Sequence, residues 1–236
     1  LSGIQLSNKY VVGIDLGTTR TKTGLFDVDG HLLHLSHASY PIHTDGGPGC
    51  AEQDPEDWWQ ATCKTLRTVV QGICSDEIAA VCVGGQGPTV VMADANGHPQ
   101  CNAILWMDTR TNTEQEELSA RLDQHISPYS YIPKAMWMKK HHPEAYHRTR
   151  WCLSAWDFIA FRLCGRAIAS TYGDHHPFPK DHLEAGGLRR HLSPPPVSVG
   201  TPIGQICPAA IAETDLSPGL IVVAGANDGM VTFIGG

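Results

Sequence analysis

The sequence predicts an α/β fold in which helices flank a mixed sheet, and three observations support it. Two apolar runs, residues 10–15 and 23–28, surround a Gly-Thr-Thr segment and indicate two strands joined by a tight turn. Residues 78–84 form a continuous apolar run bounded by glycine, which is typical of a fully buried strand. Residues 54–57 (Asp-Pro-Glu-Asp) supply a cap, a first-turn proline and early acids, so we predict a helix from there to about residue 73.

The remaining elements follow from similar signals. A third strand at residues 31–40 completes an antiparallel meander, and residues 41–54 form a loop. Residues 171–202 are predicted to be a long irregular connection, and they include the chain's one unusual local composition, three prolines at 194–196. The other predicted elements are strands at residues 90–93 and 221–224 and helices at residues 113–123, 133–141 and 155–163, the last ended by Gly165.

Composition and charge argue against several classes of partner. The 236 residues are 42% hydrophobic, enough for a core of domain size. A net charge of −7 provides no basic field for a phosphate backbone, so we expect no nucleic acid partner. Because no run of 18 apolar residues occurs and residues 1–9 do not resemble a signal peptide, we expect no membrane partner and a cytoplasmic location. The eight cysteines are expected to be reduced core thiols.

The first chemical motif is a carboxylate at the end of a strand, in residues 13–19 (Gly-Ile-Asp-Leu-Gly-Thr-Thr). Gly17 allows the backbone to approach phosphate oxygens, and Thr18 and Thr19 can donate hydrogen bonds to them. Asp15 can hold Mg²⁺ through water. The alternative is an ordinary hairpin with a capped turn.

The second motif is the glycine-flanked carboxylate of residues 225–229 (Gly-Ala-Asn-Asp-Gly), again after a short buried strand. Two such turns suggest a cleft between two sheets. Phosphoryl transfer needs a base close to the attacking hydroxyl, and Asp228 suits that role. The alternative is a turn aspartate that caps the next helix.

A third set of residues has the chemistry of a sugar site, since sugars are bound by amides, carboxylates and guanidinium groups against an aromatic wall. Trp106 could equally be a core aromatic residue, and Asp108 with Arg110 could be a plain surface ion pair. The predicted substrate-binding residues are Gln86, Gly87, Pro88, Trp106, Asp108 and Arg110, with Glu52 and Gln53 belonging to the same set.

Taken in chain order, these motifs resemble the FGGY carbohydrate kinase family, closest to its xylulokinase-type members. The matching segments are residues 13–19, 52–55 (EQDP), 58–59 (WW), 85–86 (GQ), 94–97 (DANG), 106–110 (WMDTR) and 225–228 (GAND). The resemblance implies an actin-like, ribonuclease-H-like fold whose two domains close on Mg-ATP and a sugar. It implies that Asp228 is the catalytic base, that Asp15 organises metal and phosphate, and that Thr18 and Thr19 contact phosphate.

The resemblance also sets expectations for the domains and for the sugar. Residues 1–224 are expected to form the sugar- and phosphate-binding domain, and residues 225–236 to begin the nucleotide-binding domain. Xylulokinases continue the Gly-Gln pair with Met-His-Gly and glycerol kinases continue it with Arg-Glu, whereas this chain has Gly87-Pro88-Thr89. Neither xylulose nor glycerol is therefore implied as the substrate.

The function predicted is an ATP-dependent carbohydrate kinase that transfers the γ-phosphoryl group to a hydroxyl of a small sugar or polyol, with ATP and Mg²⁺ as cofactors. One alternative is a noncatalytic sugar-binding or regulatory remnant of such a kinase. Another is an actin-like or chaperone-type ATPase, and a homodimer is left open as the oligomeric state. The histidine pair at 141–142 is predicted to be solvated surface, while the pair at 175–176 lies where a sugar contact is conceivable.

Overall fold

A six-stranded mixed sheet is the centre of the fold in the computed structural model, which describes residues 9–230. The strands are β1 (Tyr10–Leu16), β2 (Arg20–Asp27), β3 (Leu32–Ser39), β4 (Glu52–Gln53), β5 (Ile78–Gly85), β6 (Val91–Ala93), β7 (Ala103–Ile104), β8 (Trp151–Leu153), β9 (Ala169–Thr171), β10 (Pro196–Ser198), β11 (Pro202–Gln205) and β12 (Ile221–Val223). The helices are α1 (Pro55–Val69), α2 (Asn112–Leu122), α3 (Tyr131–His141), α4 (Pro143–Arg148), α5 (Ala155–Cys164), α6 (Lys180–Ala185) and α7 (Pro208–Thr214), with 3₁₀ turns at Ser75–Glu77 and Arg190–Leu192.

The order of strands in the large sheet is β11-β12-β5-β1-β2-β3. Strands β12, β5 and β1 run parallel, whereas β2, β3 and β11 are antiparallel to their neighbours. The predicted mixed sheet and the predicted meander are therefore confirmed. Because three adjacent strands run parallel, their carboxyl ends open on one edge of the sheet, which is where α/β folds place ligands.

Helix α1 begins and packs as its sequence predicts. The side chain of Asp54 accepts a hydrogen bond from the backbone N–H of Glu56 at 2.8 Å, and Pro55 occupies the first turn. Its buried face includes Trp58 and packs against β2 and β3, while α5 packs against β5 and β12. The helix ends at Val69 rather than near residue 73.

Two turns have the same hydrogen-bonding pattern, one between β2 and β3 and the other directly after β6. In each turn an aspartate, Asp27 or Asp94, accepts hydrogen bonds from the backbone N–H groups two and four residues later. The glycine in each turn, Gly30 or Gly97, has a φ of 88°, a conformation in which other residues are strained. These aspartate-glycine turns are the local signals that made both hairpins predictable.

The predicted irregular connection at residues 171–202 is wrong in part. It contains α6, the second 3₁₀ turn and β10, which pairs in parallel with β9. The predicted loop at residues 41–54 is also wrong at its end, where β4 pairs with β7. Sequence analysis further missed α4, β8, β9, β11 and α7. These elements, β4 included, are two to seven residues long, and the strands among them are fixed by partners far away in the chain, which local periodicity does not report.

The cysteine and histidine predictions have separate outcomes. All eight cysteines are free thiols, but Cys74 is exposed, so the prediction of core thiols is wrong there. His141 and His142 are exposed, as predicted. His176 Nδ1 accepts a hydrogen bond from the backbone N–H of Phe178 at 2.9 Å, and a sugar contact of this histidine pair stays a prediction. Within residues 9–230, no helix combines the length and apolar character needed to cross a membrane.

The close approach of Gly225 to β5 gives a stability prediction. A Cβ atom there would lie 1.8 Å from the backbone oxygen of Val83, so Gly225→Ala forces the two segments apart. We expect the free energy of unfolding in a denaturant titration to fall by about 3 kcal/mol, the upper range for overpacking. The control is Gly204→Ala, because a Cβ atom at that position makes only ordinary contact with Cys164 at 3.6 Å. Equal effects of the two substitutions would contradict this packing argument.

Candidate active site

The three glycine-bearing motifs of the sequence meet at the carboxyl edge of the large sheet. The backbone N–H of Gln86 donates to Leu16 O at 2.8 Å, and that of Gly85 donates to Ala226 O at 3.1 Å. The end of β5 therefore lies between the ends of β1 and β12. Asp15 lies within β1 and Asp228 follows β12, and both strands belong to this one sheet. In the described residues, the expected cleft between two sheets therefore does not account for their placement.

The side-chain amide of Gln53 connects the parts of this edge. Its Nε2 group donates to the backbone oxygens of Thr18 at 2.8 Å and Pro41 at 3.0 Å. Its Oε1 atom accepts from Trp58 Nε1 and from Gln86 Nε2, both at 3.0 Å. Gln53 is buried and all four hydrogen-bonding positions of its amide are used. Sequence analysis grouped Gln53 with the sugar residues and did not identify this connecting role.

The turn after β1 presents the predicted phosphate-binding groups. Thr18 Oγ1 accepts a hydrogen bond from Trp106 Nε1 at 3.1 Å, and Thr19 is exposed. Trp106 is 36% exposed, so the alternative of a core aromatic residue is wrong. At Gly17, a Cβ atom would lie 3.1 Å from the backbone oxygen of Arg20, which is tight for any larger residue.

Asp15 forms an ion pair with a residue that sequence analysis missed. Lys22 Nζ lies 2.9 Å from Asp15 Oδ2, and about half of each side chain is exposed. The two residues are direct cross-strand partners in the β1–β2 hairpin, so the hairpin register could have identified the pair. An exposed pair of this kind is weak, which leaves the carboxylate able to exchange partners.

Asp108 and Arg110 form a buried network, so the alternative of a surface ion pair is wrong. Arg110 donates to both carboxylate oxygens of Asp108, with the shortest distance 2.7 Å, and to Glu52 Oε1 at 2.6 Å. The backbone N–H of Ala51 also donates to Asp108, at 2.9 Å. The guanidinium lies 4.2 Å from the ring centroid of Trp137. The network fixes the loop after β7, and direct contact of Asp108 or Arg110 with a sugar stays a prediction.

The segment after β5 combines tight backbone packing with buried polar atoms. The Gly87–Pro88 peptide is cis, and a Cβ atom on Gly87 would lie 2.9 Å from the Trp156 ring and 3.2 Å from Tyr131 Oη. Three buried atoms nearby in the chain or in contact with it have no hydrogen-bond partner among the described residues: Gln86 Oε1, Thr89 Oγ1 and Trp156 Nε1. Buried polar atoms of native proteins are nearly always paired, so these atoms favour a polar ligand or water at this segment.

Helix α3 contributes two buried polar residues that sequence analysis did not assign to the site. Burial, followed by the negative charges of Asp157 and Asp228, raises the pKa of the Tyr131 phenol. Lys134 is fully buried, and the one hydrogen bond that it makes within residues 9–230, to Ser130 O, is long at 3.5 Å. Burial lowers the pKa of Lys134 to about 8, and the charge of Asp108 partly opposes that shift. A sequence pattern in which Lys134, Lys139 and Lys140 share one helix does not show which of them is buried.

Asp228 is exposed in the helical turn that follows β12. Its Oδ1 atom accepts from the backbone N–H of Gly229 at 2.7 Å. The helical cap is the neighbouring residue, since Asn227 Oδ1 accepts from the backbone N–H of Met230 at 2.8 Å. The alternative in which Asp228 serves as the cap is therefore wrong.

Solved structures of sugar kinases share the fold of this chain. Xylulose kinase from Rhodospirillum rubrum superposes with a TM-score of 0.87 at 23% identity, covering 95% of this chain and 51% of that one. Gluconate kinase from Lactobacillus acidophilus superposes with a TM-score of 0.82 at 21% identity, covering 95% of this chain and 49% of that one. The fold is thus the actin-like, ribonuclease-H-like fold of the sugar kinases, which confirms the expectation from sequence.

A model of the N-terminal domain of the FGGY family of carbohydrate kinases matches residues 10–235, and the chain belongs to that family. It is 30% identical to xylulose kinase from Bacillus subtilis, covering 96% of this chain and 49% of that protein. It is 27% identical to autoinducer-2 kinase from Salmonella choleraesuis, covering 97% of this chain and 47% of that protein. The chain therefore spans about half the length of these curated relatives.

The four hydrogen bonds of Gln53 give a prediction for the site's stability. Gln53→Leu keeps the side-chain volume but leaves two buried donors and two backbone carbonyls without partners. Since each unpaired buried group costs about 1 to 3 kcal/mol and some will find water, we expect the free energy of unfolding to fall by about 3 kcal/mol. Gln71→Leu, on an exposed side chain, is the matched control and should change it by less than about 0.5 kcal/mol. A similar small change for Gln53→Leu would show that the amide does not hold this edge together.

Burial of Lys134 predicts a pH-dependent difference in stability. The folded-state pKa, about 8, lies below the free value of 10.5, so between these values the unfolded chain binds the proton more readily. The free energy of unfolding therefore falls as pH drops through this window, by about 1.4 kcal/mol per pH unit, and the effect levels off below about pH 8. Lys134→Met lacks this dependence. The free energy of unfolding of the variant should therefore rise relative to that of the wild type as pH falls from about 10 to 8.

Denaturant titrations of both proteins at several pH values measure the difference. The control is Lys64→Met, because Lys64 is exposed on α1 and its difference from the wild type should not change across the window. If the difference in free energy of unfolding between Lys134→Met and the wild type did not change with pH, the pKa of Lys134 would not be lowered in the folded protein.

Proposed function

We propose that this chain forms the sugar- and phosphate-facing part of an ATP-dependent carbohydrate kinase, which transfers the γ-phosphoryl group of ATP to a hydroxyl of a small sugar or polyol. The observation that carries the proposal is the order of strand ends at one edge. The strand leading to Gln86 lies between those leading to Asp15 and Asp228. Strands in a sheet are spaced by about 4.8 Å, so the strand that carries Asp15 and the strand that precedes Asp228 lie roughly 10 Å apart. That span accommodates a phosphoryl donor on one side and a sugar hydroxyl on the other.

Asp15 and the turn after β1 have the donor set for magnesium and phosphate. Mg²⁺ prefers oxygen ligands and usually keeps several waters, and Asp15 offers a half-exposed carboxylate. Thr18 and Thr19 add hydroxyls on the same turn, and Gly17 keeps the backbone accessible. The bound ion would neutralise charge on the phosphates. The observed Lys22 partner would be released or turned toward phosphate when Asp15 acts in this way.

Asp228 is proposed to accept the proton of the attacking hydroxyl. Phosphoryl transfer is catalysed chiefly by positioning and electrostatics, so the base needs the right location more than a shifted pKa. Asp228 is exposed in the helical turn that follows β12, beside the segment that carries Gln86 and within electrostatic range of Tyr131. Gln86 and Trp106 are proposed to orient the sugar, with Gly87 and Pro88 forming the backbone wall.

The proposed substrate is a small polyhydroxylated compound of the kind that kinases in this family phosphorylate. Relatives named for xylulose, autoinducer-2, gluconate and glycerol show that the fold serves several such acceptors. The sequence Gly87-Pro88-Thr89 places no side chain longer than threonine after Gln86. We therefore propose that Thr89 Oγ1 and Gln86 Oε1, both lacking a partner among the described residues, select the sugar. Residues 1–224 are proposed as the sugar domain and residues 225–236 as the start of the nucleotide domain, although residues 231–236 lie outside the described residues.

The direct test is Asp228→Asn in the natural full-length gene product. Turnover in a coupled ADP-release assay should fall by about 10²- to 10⁴-fold, which is the typical contribution of general-base catalysis. Sugar binding measured by calorimetry should stay within a few fold, because the amide keeps the shape of the carboxylate. Asp123→Asn is the matched control, because Asp123 is exposed at the end of α2 in a left-handed conformation that asparagine also adopts.

Two outcomes would contradict the proposal. Full turnover in Asp228→Asn would exclude Asp228 as the base. Sugar binding without ADP release in the wild type would favour the noncatalytic sugar-binding alternative.

A further inference from the structure

A second concave site lies outside the candidate active site. It is an open groove of about 510 Å³ that involves β8, the 3₁₀ turn at Arg190–Leu192 and β10. Its floor and rim include the three consecutive prolines at residues 194–196, the one unusual stretch of composition that the proposed kinase reaction does not use. The other lining residues are Arg150, Trp151, Lys180, Arg190, His191 and Ser193.

The charge of the groove is opposite to that of the chain. Three of its lining residues are permanently cationic and none is acidic, whereas the whole chain has a net charge of −7. Within residues 9–230, Arg150 and Lys180 form no ion pair. Arg190 pairs with Glu184 at 3.0 Å, but both side chains are about half exposed, so the pair is easily replaced. Much of this positive charge is therefore available to a ligand.

Contacts within the wall hold part of this charge in place. The Arg150 guanidinium lies 3.5 Å from the ring centroid of Trp151, and its Nη1 group donates to His191 O. Stacking against an aromatic ring leaves the remaining guanidinium donors directed along the ring plane. The prolines have fixed φ angles and lose little entropy on meeting a ligand. The groove thus combines a fixed guanidinium with rigid apolar surface.

The pKa of His191 is affected by the positive charges around the groove. Burial lowers its pKa, and so do the positive charges of Arg189 and Arg150. Arg189 lies behind the lining, where it donates to Thr149 O at 3.0 Å, and its buried Nε atom has no partner among the described residues. Four cationic side chains, Arg150, Lys180, Arg189 and Arg190, therefore belong to this one region.

We propose that the groove binds a small organic phosphate monoester. The phosphate carries a charge of about −1.5 to −2 near neutral pH. Its oxygens accept paired hydrogen bonds from the planar guanidinium of arginine, so it matches Arg150, Lys180 and Arg190. The carbon skeleton would lie on Trp151 and the prolines. A volume of about 510 Å³ is within the range for small-molecule sites and exceeds what inorganic phosphate alone would fill. This inference is independent of the proposed kinase activity, since no groove residue belongs to the candidate active site.

Calorimetry on the natural full-length protein tests the proposal, with ribose 5-phosphate, ribose and inorganic phosphate as probes. We expect ribose 5-phosphate to bind with at least tenfold higher affinity than either other probe. Lys180→Gln should weaken its binding at least fivefold, whereas Lys64→Gln, which removes the same charge from the exposed face of α1, should not change it. Lys180 is exposed and unpaired in the described part of the chain, so the variant is expected to fold normally.

A resonance of His191 distinguishes the groove from the candidate active site. Nuclear magnetic resonance should show the His191 ring pKa rising when ribose 5-phosphate is added, because the anion offsets the neighbouring positive charges. Gln86→Ala should leave this response intact. Unchanged affinity in Lys180→Gln, an unchanged His191 resonance at saturation, or equal binding of ribose and ribose 5-phosphate would each overturn the proposal.

Discussion

The side-chain amide of Gln53 is the contact on which the arrangement of the candidate site depends. It joins the turn that carries Thr18 to the strand end that carries Gln86, and it anchors both to Trp58 in α1. A buried primary amide has two donor and two acceptor positions, and here every one is used. The turn that carries Thr18 and the strand end that carries Gln86 are therefore held together by this side chain as well as by the backbone hydrogen bond from Gln86 to Leu16 O. Fixed geometry of this kind is what the proposed phosphoryl transfer would use.

The parallel alignment of three strands supplies the other half of the arrangement. Residues separated by about 70 and 140 positions in the chain, Asp15, Gln86 and Asp228, are brought to one edge because their strands end together. Gly225 contributes to this arrangement of strand ends, because its lack of a side chain lets the segment after β12 pack closely against β5. At this edge, the sequence Gly87-Pro88-Thr89 differs from the Met-His-Gly of xylulokinases and the Arg-Glu of glycerol kinases. For the proposed kinase function, we expect substrate specificity to depend on that short segment.

Much of the fold could be predicted from sequence, because the central strands and α1 carry strong local signals. Alternating apolar residues, aspartate-glycine turns and the Asp54 cap act over a few residues and are visible in any window. The short strands β8 to β11 could not be predicted, since their pairing depends on partners that are distant in the chain. At the site, the sequence suggested a cleft between two sheets, whereas the strand that carries Asp15 and the strand that precedes Asp228 belong to one sheet. The connecting role of Gln53 and the burial of Lys134 depend on tertiary packing, and no periodic pattern reports them.

A crystal structure with a bound sugar would show most directly whether the sugar lies at the edge of the sheet near Asp228 and Gln86. Thermal unfolding with a panel of pentuloses, hexuloses, alditols and aldonates selects the ligand, because one present at a hundredfold its dissociation constant stabilises by about 2.7 kcal/mol. Diffraction from crystals grown with that sugar and Mg-ADP then locates it. We expect a sugar hydroxyl within hydrogen-bonding distance of Asp228 and a second contact from the sugar to Gln86. A sugar bound elsewhere, with no contact to Asp228 or Gln86, would show that this edge of the sheet is not the sugar site.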